Sequence, residues 1–128
     1  MYLDEVMVRN VVTCVPTTPL SVVRNLLHKN RIHHVVVLEG QRVVGVVSMR
    51  DILYRDDRML VMEVMTRDFA TASPMTTIRE AATRMIGRSS GCLPIIEHGI
   101  LAGVITTGDL IRIVTRNGAK PVASAASA

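Results

Sequence analysis

Two short patterns combine a hydroxyl and a carboxylate at a spacing that suits binding of a sugar and a phosphate. The more distinctive one is Thr106-x-x-Asp109, with Gly108 between them. A carboxylate can accept hydrogen bonds from both hydroxyls of a ribose, while a threonine hydroxyl and the free N–H groups of a helix start suit a phosphate. Glycine lets a ligand approach the backbone closely. On spacing alone, however, the pattern is more typical of a helix N-cap.

Ser48-x-x-Asp51 repeats this pattern earlier in the chain. It keeps the hydroxyl and the carboxylate but has Met49-Arg50 between them, so this site is either bulkier or uses Arg50 to reach a phosphate. Two carboxylates at matching positions indicate paired binding sites rather than the general acid and base of an enzyme. The sequence also contains no GxSxG, P-loop or GxGxxG motif, and we expect no catalytic activity.

These patterns match because the chain contains an internal repeat. A shift of 58 residues aligns the sequence on itself without a gap from Val6 to Leu53. Ten positions are identical, namely Val6/Val64, Met7/Met65, Arg9/Arg67, Thr13/Thr71, Pro16/Pro74, Thr18/Thr76, Glu39/Glu97, Gly45/Gly103, Val46/Val104 and Asp51/Asp109. We divide the chain into a first repeat (1–60), a second repeat (61–117) and an Ala/Ser-rich tail (118–128) that the composition predicts to be flexible.

Each repeat predicts the element order β-α-β-β-α, which makes the fold class α+β. An extended segment leading into a proline is followed by a helix with apolar residues spaced i, i+3, i+4 and i+7, then by two β-rich runs and a second helix. The helix of the first repeat is expected to have Pro19 at its first position, and that of the second to begin with a capping box at Thr77-x-x-Glu80. The other predicted ranges are Val11–Val15, His34–Glu39, Arg42–Ser48 and Met49–Tyr54, then Phe69–Ser73, Leu93–Glu97, Ile100–Thr106 and Gly108–Thr115.

One repeat of this size is marginal as an independent domain, because a short chain buries too little apolar surface. The sequence therefore predicts two repeats that pack sheet to sheet about a pseudo-twofold axis.

The composition excludes several classes of function. Three aromatic residues, none of them Trp, leave little for base stacking or for sugar platforms. Thirteen of the fifteen basic residues are arginine and the net charge is +4, which indicates either an anionic ligand or a solvated basic surface. Two isolated cysteines, the lack of an apolar leader and short apolar runs predict a soluble cytoplasmic protein with reduced thiols.

The repeat resembles the CBS (cystathionine-β-synthase) domain, and two in series resemble a Bateman module. The resemblance covers residues from about 3 to 116. It implies a regulatory fold that binds AMP, ADP, ATP, S-adenosylmethionine or sometimes an NAD-type dinucleotide in clefts between the repeats. The matching residues are Val64-Met65-Thr66, Thr71 with Pro74, Thr77-Ile78-Arg79-Glu80-Ala81, Gly91-Cys92-Leu93-Pro94-Ile95-Ile96 and Gly103-Val104-Ile105-Thr106-Thr107-Gly108-Asp109-Leu110.

The resemblance implies that Thr106 and Asp109 contact ribose, and we take them as the principal site, with Ser48 and Asp51 as a second. Adenine is expected between apolar walls and extended backbone. The implied positions are Thr71, Ala72, Gly91, Cys92, Leu93 and Pro94 in the second repeat and Thr13, Cys14, His33, His34, Val35 and Val36 in the first. The first repeat departs from the family pattern, since His33 and Val36 replace the Gly and Pro. Ordinary core packing is the weightier interpretation for Val35 and Leu93.

The stretch from His28 to His34 is the most cationic of the chain. It is expected either to meet the phosphates of a nucleotide or simply to complement the negative end of a helix. No metal site is expected at His33-His34, because adjacent residues diverge and no carboxylate or thiolate partner is evident. The default role of Cys14 and Cys92 is that of small buried hydrophobic residues.

The leading hypothesis is a stand-alone sensor that needs no obligatory cofactor, binds an adenosyl ligand and signals to an effector protein in trans. The resemblance also implies a homodimer in the form of a flat disc, and no membrane partner is expected. One alternative is a ligand-free CBS module that only mediates dimerisation or interaction. A further and less favoured alternative is nucleic-acid binding through the arginine-rich surface.

Overall fold

The computed structural model describes residues 1–117, and it has the α+β architecture and the repeated element order that the sequence predicts. The prediction of a flexible tail at 118–128 lies outside the described residues. Two short 3₁₀ turns, Leu3–Glu5 and Val61–Glu63, open the repeats. The strands and helices are β1 (Thr13–Cys14), α1 (Leu20–Asn30), β2 (His34–Glu39), β3 (Arg42–Ser48), α2 (Met49–Ile52), α3 (Ile78–Arg88), β4 (Cys92–Glu97), β5 (Ile100–Thr106) and α4 (Thr107–Asn117).

Helices α1 and α3 form because their apolar residues recur on one face. In α1 the side chains of Leu20, Val23 and Leu27 are fully or almost fully buried, as their spacing predicts. Pro19 is the N-cap rather than the first helical residue, because its ψ of 151° is extended. The prediction for this helix start was therefore wrong by one residue.

The predicted capping box of α3 is confirmed. The Thr77 hydroxyl accepts a hydrogen bond from the Glu80 backbone N–H at 3.1 Å, and a Glu80 carboxylate oxygen accepts one from the Thr77 backbone N–H at 2.9 Å. These two bonds satisfy N–H groups that have no partner inside the helix.

The strands form two small sheets, one in each repeat. Strand β1 is parallel to β2, which pairs in antiparallel fashion with β3, whereas β4 and β5 form an antiparallel pair. The predicted extended segment at Phe69–Ser73 contributes only an isolated parallel bridge between Ala72 and Ile95. It is not a strand, so the two repeats differ in how completely their first strand forms.

The second helices depart from their predicted lengths in opposite directions. Helix α2 stops at Ile52 because Leu53 is extended, with ψ 128°, and Tyr54 has a φ of 69°. Helix α4 begins one residue earlier than predicted and continues to Asn117. In the described part of the chain, no helix has the length and apolarity needed to cross a membrane.

The two repeats exchange their opening segments. Leu3 and Met7, at the start of the first repeat, pack into the core of the second, while Val61 and Met65 pack into the core of the first. Backbone hydrogen bonds accompany the exchange: the Leu3 N–H donates to the Thr76 carbonyl at 2.9 Å, and the Val61 N–H donates to the Thr18 carbonyl at 2.9 Å. Each repeat therefore completes its core with the other, about the predicted pseudo-twofold axis.

Two glycines allow this exchange to be close. A Cβ atom on Gly45 would lie 2.5 Å from the sulfur of Met65, and one on Gly103 would lie 2.8 Å from the backbone oxygen of Val8. A side chain at Gly103 would collide with backbone, whereas one at Gly45 would have to displace the Met65 side chain.

Candidate functional site

A cavity of about 1040 Å³ lies between the two repeats, and we refer to it as the central cleft. This volume is at the upper end of the range of about 300–1,000 Å³ that small-molecule sites occupy. The first repeat contributes His33, His34, Val46, Ser48, Met49, Arg50, Asp51 and Leu53. The second repeat contributes Thr66, Asp68 and Phe69 from its opening segment, together with Ala82, Met85, Ile86, Arg88, Ser89, Ser90, Gly91, Thr107 and Leu110.

The Ser48–Asp51 pair forms one polar corner of this cleft. A capping box holds it: the Asp51 Oδ2 atom accepts from the Ser48 N–H at 2.8 Å, and the Ser48 Oγ atom accepts from the Asp51 N–H at 3.1 Å. Within residues 1–117, the other oxygen of Asp51 accepts no hydrogen bond. The carboxylate is thus positioned by one oxygen and still has acceptor capacity on the other.

The Thr106–Asp109 pair has the same capping geometry but lies outside the lining of the central cleft. The Asp109 Oδ2 atom accepts from the Thr106 N–H at 2.9 Å and from the Thr106 hydroxyl at 3.0 Å. Its Oδ1 atom accepts from Arg112 at 2.6 Å. Both carboxylate oxygens already have partners within the protein. The principal role of Thr106 and Asp109 in ligand binding stays a prediction.

Some of the N–H groups at these helix starts already have partners within the protein. The Thr107 N–H donates to the Gly91 carbonyl at 3.0 Å, and the Asp109 N–H donates to the Thr106 hydroxyl at 3.2 Å. The equivalent Met49 N–H donates to the His33 carbonyl at 2.9 Å. The Thr107 and Met49 N–H groups thus join each second helix to the residue that precedes the neighbouring strand. Contact of the remaining N–H groups with a phosphate stays a prediction.

His33 and His34 line the central cleft where the two repeats meet. A Cβ atom on Gly91 would lie 3.1 Å from the His34 ring, so the two repeats touch at this point. Burial and the neighbouring His33 lower the pKa of His34, and the Asp51 carboxylate opposes that shift only in part. A neutral ring is therefore favoured beside the glycine. At the end of α1, His28 is exposed and does not line this cleft.

Most of the positions implied for adenine lie in the two cores or the sheets rather than in the central cleft. Val35 and Leu93 have no exposed surface, in accordance with the core interpretation. The Ala72 N–H donates to the Pro94 carbonyl at 3.0 Å, so this extended backbone is already paired. The positions outside the cleft lining are Thr13, Cys14, Val35, Val36, Thr71, Ala72, Cys92, Leu93 and Pro94, together with Gly108. Their contact with a ligand stays a prediction.

Both cysteines are free and buried, as expected for small hydrophobic side chains. Burial raises the pKa of Cys14 to about 11, although a hydrogen bond with Thr18 opposes it. Burial and the nearby Asp109 carboxylate raise the pKa of Cys92 to about 12. Neither thiol is a reactive thiolate at neutral pH. Among the described residues, no three His, Cys, Asp or Glu side chains are grouped so as to hold a metal ion.

Several lining residues were missed by the reasoning from sequence. Asp68 and Phe69 belong to the opening of the second repeat, and Arg88 lies at the end of α3. These residues come together only because the opening segment of the second repeat packs against the first repeat, and no sequence motif marks them. Arg112 was also missed, although its position three residues after Asp109 on one helix predicts an ion pair.

Comparison with known proteins agrees with this architecture. Inosine-5′-monophosphate dehydrogenase of Korarchaeum cryptofilum (strain OPF8) is 30% identical over 109 residues, which are 84% of this chain and 23% of that enzyme. The chain thus spans less than a quarter of the length of that curated relative.

Two solved structures share the fold at identities below 25%. The CBS domain pair of protein MJ0100, in complex with 5′-methylthioadenosine and S-adenosyl-L-methionine, is 18% identical with a TM-score of 0.84, covering 91% of this chain and 97% of that one. CBSX2 in complex with AMP is 21% identical with a TM-score of 0.79, covering 90% and 96%. The CBS domain family matches residues 3–57 and 61–116. With two matched segments that together span nearly all the described residues, the chain belongs to the CBS domain family and carries two CBS domains in tandem.

Proposed function

We propose that this protein is a non-catalytic regulatory module that binds an adenosyl ligand of the AMP, ADP or ATP type in the central cleft. The observation that carries the proposal is the Asp51 corner. There, a carboxylate fixed by a capping box keeps an oxygen without a protein partner, inside a cavity bounded by both repeats. Such an oxygen suits the vicinal hydroxyls of a ribose.

The rest of the cleft supplies the other contacts that a nucleotide needs. Leu53, Met85, Ile86 and Leu110 offer aliphatic surface for a purine ring. Arg50 is exposed at the same corner and has no salt-bridge partner among residues 1–117, so it is available for a phosphate. The adenosyl ligands of MJ0100 and CBSX2 support the choice of this ligand class. S-adenosylmethionine is the alternative ligand of the same class.

Regulation follows from the position of the cleft between the repeats. A ligand that contacts both repeats favours the relative orientation that it binds more tightly, and only its differential affinity drives the change. We propose that an effector protein in trans detects this change. We propose 1–60 and 61–117 as the two sequence repeats, each of which completes its core with the opening segment of the other.

We extend the proposal to a homodimer in the cytoplasm. The exposed apolar side chains of Tyr54, Ile111 and Val114 offer surface for a second module, with 96%, 61% and 59% exposure. The two buried free cysteines suit a reducing compartment. A dimerisation module without ligand is the competing function, and the experiment below separates the two.

Isothermal titration with AMP, ADP, ATP, S-adenosylmethionine and NADH, with thermal melting alongside, tests ligand binding. A one-site ligand at about 100 times its Kd stabilises the folded state by about 2.7 kcal/mol. We expect at least one adenosyl compound to bind. Asp51→Asn is expected to lower the affinity for that compound by about tenfold, because a hydrogen bond to a charged group is lost.

Glu80→Gln is the matched control, because Glu80 caps α3 in the same way but is exposed and outside the cleft lining. It is expected to leave affinity unchanged. If no compound in the panel binds, the module is an interaction domain without an adenosyl ligand. Equal weakening by Asp109→Asn and by Asp51→Asn would contradict the central role of the Asp51 corner.

A further inference from the structure

Arg88 stands on the wall between two cavities. It lines the central cleft and also a smaller neighbouring cavity of about 450 Å³, which we refer to as the side cavity. The side cavity is lined by Phe69, Ala70, Thr71, Arg84, Gly87 and Arg88. A guanidinium in this position can serve a ligand in the central cleft while its stem stays packed beside Phe69.

The partner of Arg88 in this structure is Asp68. The Arg88 Nη1 atom lies 2.6 Å from the Asp68 Oδ1 atom, and the side chains are 46% and 92% exposed. Ion pairs this exposed contribute little to stability, because water screens them and two long side chains must be held still. Arg88 can therefore exchange this carboxylate for another anion at small cost.

The first repeat shows that the fold does not need this ion pair. By the 58-residue shift, Asn30 corresponds to Arg88 and Asn10 corresponds to Asp68. Helices α1 and α3 nevertheless both have eleven residues, and both end at a residue in the left-handed conformation, Arg31 and Ser89. The charges are thus specific to the second repeat, where they face the central cleft.

A phosphate is the anion that best fits a guanidinium released from Asp68. It offers more charge than one carboxylate and several acceptor oxygens for the planar fork of Arg88. In the side cavity, the Arg84 Nη1 atom donates to the Thr71 carbonyl at 2.9 Å, which holds a second positive charge nearby. Asp68 is the acidic group that opposes an anion at this end of the cleft.

We propose that Arg88 is the specificity-determining residue that makes this module prefer a phosphate-bearing adenosyl ligand over an uncharged one, with Asp68 as its internal competitor. The inference rests on the proposed function and adds the residue pair that selects for the ligand's phosphate. Ligand binding then replaces the Arg88–Asp68 ion pair by an Arg88–phosphate contact.

Titration of matched ligands tests this proposal. AMP and 5′-methylthioadenosine share the adenosine moiety, but only AMP has a phosphate. Arg88→Gln is expected to lower the affinity for AMP by about tenfold, because one charge-assisted hydrogen bond is lost. The affinity for 5′-methylthioadenosine is expected to stay unchanged. Asp68→Asn is expected to raise the affinity for AMP about threefold, because an exposed carboxylate that competes with the phosphate is removed. Arg88→Lys, which keeps the charge but not the fork, is expected to fall between Arg88→Gln and the parent.

Arg79→Gln is the control on the same helix, because Arg79 is exposed and lines neither cavity. If Arg88→Gln lowered the affinity for both ligands equally, Arg88 would have a structural role and the proposal would be overturned. The proposal would also be overturned if AMP bound with an affinity that neither Arg88→Gln nor Asp68→Asn changed, although the proposed function would then stand. If neither ligand binds the parent protein, this proposal fails, whereas the proposed function fails only if ADP, ATP and S-adenosylmethionine do not bind either.

Discussion

The Ser48–Asp51 and Thr106–Asp109 corners are built by the same device, yet they differ in what remains available. Each aspartate caps its helix through a bond to the backbone N–H of the hydroxyl residue, at 2.8 Å for Asp51 and 2.9 Å for Asp109. Arg112 then engages the second oxygen of Asp109 at 2.6 Å, whereas Asp51 has no such partner among the described residues. Identical motifs therefore have different capacities for a ligand, and the neighbouring side chains decide which.

The α1 and α3 helices show the same asymmetry at the cleft. Ala82 of α3 lines the central cleft, but the corresponding residue of α1 is Arg24. The Arg24 guanidinium binds the Asp57 carboxylate at 2.5 Å and donates to the Ile52 and Arg55 carbonyls at 2.8 Å and 2.7 Å. A small residue leaves space at the cleft in the second repeat, whereas a long side chain with three hydrogen bonds occupies the equivalent position in the first.

The largest expected effect concerns the exchange of opening segments between the repeats. Leu3→Ala is expected to lower the free energy of unfolding by about 3 kcal/mol, because it leaves a cavity in the core of the second repeat. Urea denaturation measures the loss. Leu53→Ala, at a leucine that is 51% exposed, is the control and is expected to change stability by less than about 0.5 kcal/mol. Equal effects of the two substitutions would contradict the exchange.

The two close glycines are expected to differ from each other. Gly103→Ala should cost about 2 kcal/mol, because its nearest neighbour is the Val8 backbone, which cannot move without breaking its pairing with Val104. Gly45→Ala should cost less, since the Met65 side chain in its way is flexible. Thermal melting compares them with Gly87→Ala, whose Cβ would meet nothing within 4 Å. A larger loss for Gly45→Ala would reverse the ranking.

Arg112→Gln sharpens the comparison of the two corners. Removal of the guanidinium leaves the Asp109 Oδ1 atom without its partner, so this corner comes to resemble that of Asp51. If the module binds as proposed, we expect titration with AMP to show an additional, weaker binding event in the variant. Arg116→Gln, one turn further along the same helix, is the control. An unchanged stoichiometry would show that something other than Arg112 closes this corner.

The smallest expected effect is the pH dependence that His34 contributes. Its pKa in the folded state lies below the ordinary value of 6.5, so the unfolded chain takes up the proton first as the pH falls. The stability that the neutral ring contributes is complete above pH 6.5 and is lost as the pH falls below that value. His34→Gln should flatten the change in unfolding free energy between about pH 7 and 5. His28→Gln, at an exposed histidine, should leave the slope as it is in the parent.

The local elements could be predicted from sequence because their causes are local. The bounds of β2, β3 and β5 agree with the predicted ranges, since runs of Val and Ile end at turn residues such as Gly40 and Gly99. The capping box at Thr77 follows from four consecutive residues. The extent of α2 could not be predicted, because its end depends on the backbone of Leu53 and Tyr54 rather than on a residue that breaks helices.

By itself, the sequence determined the duplication, the α+β class and the two hydroxyl–carboxylate motifs, because periodicity and spacing are properties of the chain. Only the tertiary structure decided which core each opening segment completes, because Leu3 and Val61 are apolar residues at matching positions of the repeat and no sequence motif assigns them to a core. It also decided which corner lies in the central cleft: Asp51 is part of the lining and Asp109 is not. The ion pair of Asp109 with Arg112 is local to one helix, whereas the ion pair of Arg24 with Asp57 joins residues 33 positions apart and depends on the tertiary fold.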